Sequence, residues 1–129
     1  MAFDAATIEY AECSLVMPSD WNAGTITAQF YWLHSTTTTN FDVVWGLQGC
    51  SFGNNEGLDQ AMGTAQEVTD TGGVTSNLYI TAATAALTLT GATANDLVQF
   101  RTYRNATSGS DTLAIDAQLL GILISFTRT

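Results

Sequence analysis

The stretch Thr25-Ile26-Thr27-Ala28-Gln29-Phe30-Tyr31-Trp32 decides the fold class. Ile26, Ala28, Phe30 and Trp32 fall on one side of a period of two, and Thr25, Thr27, Gln29 and Tyr31 on the other. A helix would scatter these apolar residues around its circumference, whereas a strand gathers them on one face. Phe41-Asp42-Val43-Val44-Trp45-Gly46-Leu47-Gln48 repeats the alternation, with Val43, Trp45 and Leu47 on the apolar side. The polar run His34-Ser35-Thr36-Thr37-Thr38-Thr39-Asn40 between them has the length of a hairpin or short loop. Residues 24–49 therefore read as two antiparallel strands. Trp32 and Trp45 are expected in the core, and His34 at a surface or loop edge.

The same period recurs downstream. In 96–104, Val98, Phe100 and Thr102 oppose Gln99, Arg101 and Tyr103. Near the C-terminus, Leu120, Ile122, Ile124 and Phe126 share one face, and Leu119, Gly121, Leu123 and Ser125 the other. Leucines on the second face predict a strand partly covered on both sides, in the middle of a sandwich or at a subunit contact. Weaker strands are expected at 7–17, 78–82 and 85–90, and the Ala/Thr-rich stretch 81–94 fits a β-hairpin. Turn chemistry marks 18–24, 53–57, 70–73, 91–95 and 105–110, and 58–62 fits one helical turn. Short strands between turn signals predict a single all-β domain over 1–129, an antiparallel β-sandwich or barrel. Residues 1–17 read as an extra N-terminal strand or an arm. Their pattern, Ile8, Tyr10 and Cys13 among Glu9 and Glu12, fits a strand added to a sheet edge.

Composition narrows the function. A chain of 129 residues, 46% hydrophobic, can bury a core and is not disordered. It has twelve carboxylates, no lysine and only Arg101, Arg104 and Arg128 as fixed cations, for a net charge of −9. A phosphate backbone has to be neutralised by several basic side chains, and this chain would repel it and anionic lipid alike. No nucleic-acid or membrane partner is expected. The N-terminus lacks the basic and apolar regions of a signal peptide, and no apolar run approaches ~18 residues. Cys13 and Cys50 allow one disulfide at most, and they read as two reduced thiols buried as small hydrophobes, with a structural bridge as the alternative. With one histidine they make no zinc spacing.

Nothing in the pattern supplies a reaction. Glu9 with Glu12 and Asp111 with Asp116 read as solvated carboxylates on edges and loops, not as the converging pair of a glycosidase. Gly53-Asn54-Asn55-Glu56-Gly57-Leu58-Asp59 has oxygen ligands near glycine but lacks the twelve-residue calcium spacing. His34 has no sequence-local base or nucleophile. No catalytic residue, metal or cofactor is expected. Arg104 and Asp111 are expected to pair across the 105–110 turn, worth roughly 0–1 kcal/mol if exposed. Trp21 is expected to plug the end of the sandwich or to lie in an interface.

Several segments, taken in order, carry a resemblance. They are Pro18…Trp21-Asn22…Gly24-Thr25-Ile26-Thr27, Trp32, Val43-Val44-Trp45-Gly46, the run from Ala61 to Thr71, Arg101…Tyr103-Arg104, and the run from Asp111 to Ile122. The order resembles small tailed-phage virion proteins with a jelly-roll-like β-sandwich, either capsid decoration (cement) proteins or tail-fibre tip domains. The resemblance spans most of 18–126 and carries no catalytic signature. It implies a homotrimer seated on the major capsid protein at the outer surface of the virion. The alternative it implies is a receptor-binding module with a host receptor as partner. The short chain, beginning at Met1 without a coiled-coil or β-helical shaft, favours decoration. Residues expected to make oligomer or partner contacts are Ile8, Tyr10, Trp21, Leu119 and Leu123.

Overall fold

Eight strands follow one another: β1 (Ala2–Phe3), β2 (Tyr10–Val16), β3 (Trp21–His34), β4 (Phe41–Phe52), β5 (Gln66–Gly72), β6 (Tyr79–Ile80), β7 (Leu97–Arg104) and β8 (Ala117–Arg128). They are seen in a computed structural model that describes residues 1–35 and 41–129. Most of the threonine run expected to connect β3 and β4 lies outside the described residues. The strands form two antiparallel sheets, ordered β1-β8-β3-β6 and β2-β7-β4-β5. First pairs with eighth, second with seventh, third with sixth and fourth with fifth. The chain is thus one long hairpin, rolled until β8 meets β3 and β7 meets β4, which is the strand order of a jelly roll. The expected all-β, jelly-roll-like β-sandwich is the observed fold.

The pairing of β3 corrects one expectation. It does not form a hairpin with β4; the two lie in opposite sheets, and their apolar faces meet in the core. The Phe30 and Trp45 rings stack at 5.9 Å, and Trp32 lies 6.3 Å from Trp45. A polar connector of this length allows either arrangement. Facing the two aromatic rows toward each other across the two sheets removes both from water. His34 continues the inward parity of Phe30 and Trp32, so it is buried rather than at a surface edge. Its ring packs edge-on to Phe41 at 4.7 Å and stacks with Tyr79.

β8 corrects a second expectation. Trp32 faces Leu119 and Tyr31 faces Gly121, so Leu120 is an extra residue in the ladder. A bulge of one residue inverts every side chain beyond it. Ala117 and Leu119 face the core before the bulge, and Ile122, Ile124 and Phe126 after it. Leu120, assigned by simple alternation to the apolar face, is 58% exposed. Other departures are local. β5 includes the expected 70–73 turn as far as Gly72, 58–62 forms no helical turn, and 85–90 makes only an isolated bridge from Leu87 to Ile26. The N-terminal residues pack on the chain's own body, β1 beside β8 and β2 beside β7.

Arg104 ends β7 on the inward face and is fully buried, with Asp111. Its guanidinium donates Nε to Asp111 Oδ2 at 3.0 Å and Nη2 to Oδ1 at 2.7 Å, with further bonds to the carbonyls of Leu113, Ile115 and Phe3. Asp111 Oδ2 also accepts the Val44 N–H at 3.0 Å. The expected ion pair therefore exists, but Asp111 is not a solvated loop carboxylate. The pair is buried because Arg104 shares the inward parity of Val98, Phe100 and Thr102.

Threonine side chains stand in for missing strand carbonyls. Beyond β6 the chain runs beside β3, where Thr81 N–H donates to Phe30 O and Thr84 N–H to Ala28 O. In return, Phe30 N–H donates to Thr81 Oγ1 at 3.0 Å and Ala28 N–H to Thr84 Oγ1 at 3.1 Å. Every third residue of this segment thus serves every second residue of β3, so no backbone ladder of equal period is needed. The expected 81–94 hairpin is replaced by this edge cover. Thr84→Val keeps shape but leaves the buried Ala28 N–H without an acceptor, costing about 1–3 kcal/mol. Urea unfolding should show that loss, and Thr84→Ser should recover part of it.

Candidate interaction surface

The two outer faces differ in chemistry. The outer face of the β2-β7-β4-β5 sheet carries Glu12, Asp42, Glu67 and Arg101, while Asp70 and Arg104 on the same strands point inward. Strands of the β1-β8-β3-β6 sheet carry no carboxylate or ammonium group within them, and Arg128 at the end of β8 is their only guanidinium.

On the charged face one row crosses all four strands: Tyr10, Tyr103, Gly46 and Glu67 are neighbours in register. The Tyr103 ring covers Gly46, where any side chain would collide with it. Tyr103 Oη donates to Glu67 Oε1 at 2.7 Å, and the Tyr10 ring packs 5.5 Å from the Tyr103 ring. Burial, reinforced by the Glu67 carboxylate, pushes the Tyr103 phenol well above its ordinary pKa. Arg101 lies over Tyr10 and pairs with Glu12 at 2.7 Å.

On the uncharged face the register sets Thr27 beside Ser125, Gln29 beside Leu123, and Ile80, Tyr31 and Gly121 in one row. Leu123 is 46% exposed and Ile80 47%. Leu120, 58% exposed, lies on the same sheet, so β8 and β6 each present apolar side chains among hydroxyl and amide groups.

The residues expected at partner contacts do not converge. Leu123 lies on the uncharged face and Tyr10, 54% exposed, on the charged one. Ile8 is half-buried in the link between β1 and β2. There Asp4 Oδ1 accepts the N–H groups of Ala6 and Thr7, bonds that hold its carboxyl below the usual range. Trp21 and Leu119 are buried within the chain, Trp21 closing one end of the core. Leu120 and Ile80 were missed: the first because alternation takes no account of the bulge, the second because β6 has two residues. Glu56 turns back on its own loop, accepting Gly53 N–H at 2.8 Å. Among the described residues no three His, Cys, Asp or Glu side chains gather as a metal site.

Both thiols are free. Cys50 is buried, and that burial raises its pKa. Cys13 is exposed on the edge strand β2, a correction to its expected burial, because among the described residues β2 has no strand beyond it. No protein-family model matches the chain, and comparison with curated proteins and with solved structures returns no significant match. Alkylation of the native protein should therefore add one group, at Cys13, and denaturant should expose the second site. Mass spectrometry before and after unfolding reads this directly.

Proposed function

We propose that the protein is a structural component of a tailed-phage virion, a decoration protein that seats on the outer surface of the capsid shell. The observation that carries this reading is the one-sided chemistry of the sandwich. The uncharged β1-β8-β3-β6 face, with Leu120, Leu123 and Ile80 exposed on it, suits contact with a protein shell. The face bearing Glu12, Asp42 and Glu67 suits solvent. The net charge of −9 would be repelled by packaged DNA, which favours the outside of the wall. The resemblance to small jelly-roll virion proteins points the same way.

The action would be thermodynamic. A protein that binds the assembled shell and not its separated subunits stabilises the shell by mass action. It needs many weakly bound copies, an exposed contact face and no reacting group. Purified particles carrying the protein should contain it in many copies distributed over the head, read by quantitative mass spectrometry and gold labelling. A few copies confined to the tail would overturn decoration and support a receptor-binding module instead.

A further inference from the structure

The side of the sandwich between β2 and β8 is open. β1 pairs with β8 only at Ala117 and Gln118, and Met1 reaches Leu119. From Leu120 to Thr127, β8 has β3 on one side and, among the described residues, no backbone partner on the other. β2 is likewise paired only with β7. Between these two free edges lies an apolar cleft of about 250 Å³, lined by Ala11 and Cys13 from β2, Ile122 and Ile124 from β8, and Phe100 and Leu47.

A free strand edge is a template for further pairing unless charge, proline, a bulge or a covering segment guards it. β2 carries Glu12 and follows Glu9. β8 has neither charge nor proline from Ala117 to Thr127. At about 3.3 Å per residue, the six residues from Gly121 to Phe126, beyond the bulge at Leu120, present roughly 20 Å of regular edge.

We propose that this edge pairs with β8 of a second copy of the chain, antiparallel across a two-fold axis. Charge decides the occupant. Arg101 is tied to Glu12, Arg104 to Asp111 and Arg128 to Asp20, so all three guanidinium groups are already engaged within the chain. Two copies at −9 each have no cation to spare for one another's carboxylates. They approach most readily where neither bears a charge, and β8 meets that condition on both sides of the contact. A basic partner segment, by contrast, would be drawn to the acidic face. Because the same strand serves both copies, the contact is isologous and closes at two, where the resemblance implied three. It would join the two uncharged faces into one continuous sheet, and it does so whether or not the protein sits on a capsid.

The test is light scattering of the purified full chain, with hydrogen exchange followed over a concentration series. A dimer is expected, with amides of 120–127 slowing by about tenfold or more as concentration rises, and those of β2 unchanged. Leu120→Lys, at an exposed edge position, should return the protein to monomer, whereas Leu58→Lys on the 53–65 loop should leave the dimer intact. A monomer at every concentration would overturn the proposal. So would an oligomer of any size, a trimer included, whose 120–127 amides exchange independently of concentration, or a Leu120→Lys protein that stays dimeric. None of these outcomes depends on copy number in a particle.

Discussion

The buried pair of Arg104 and Asp111 is the constraint on which the rolled hairpin closes. A guanidinium inside a sandwich is tolerable only if every donor is used, because an unpaired buried charge is far more costly than an unpaired neutral group. Here Nε and both terminal nitrogens are engaged by one carboxylate and three carbonyls. Those acceptors come from β1 and from the 105–116 connection, while Asp111 reaches across to the backbone of β4. One side chain thus ties the first strand, the fourth, the seventh and the last connection at a single end of the molecule. Such a pair adds little stability over an apolar replacement of equal shape. What it fixes is which segments meet.

Three threonines answer a related problem, that of completing ladders. β3 and β4 are long, at 14 and 12 residues, and their returning partners are shorter. Side-chain oxygens extend the pairing where backbone carbonyls run out. Thr81 and Thr84 do so for β3. Thr112 Oγ1 and Asp111 Oδ2 do so for β4, accepting from Asp42 and Val44. A short, β-branched side chain with one hydroxyl fits this use, since it favours extended backbone and can both donate and accept.

Period-two patterning made the inward faces of β3, β4 and β7 legible, because one face of each is buried and the other is not. It was less able to say which strands pair. β3 and β4 are adjacent in sequence and apolar in the same way, yet Trp32 and Trp45 meet face to face across two sheets. β5 escaped notice since its inward positions include Gln66 and Asp70, and Asp70 is inward because it accepts the Trp32 indole N–H at 2.8 Å. His34 was readable in principle: it extends the Ile26-to-Trp32 parity by one step. The bulge at Leu120 was not, because no residue type there demands it. The interaction surface was legible only through Leu123. Its uncharged character emerges when strands distant in sequence are laid side by side.

The closure at Arg104 holds β1 at one end of β8 through the Phe3 carbonyl and fixes which segments meet there. A double-mutant cycle of Arg104→Met and Asp111→Asn, followed by equilibrium unfolding in urea, tests this most directly. Each single substitution strands a buried partner, so each should lower stability by about 3–5 kcal/mol, and the double variant should lose clearly less than the sum. Additive losses of about 1 kcal/mol or below, as for a solvent-exposed pair, would contradict the account.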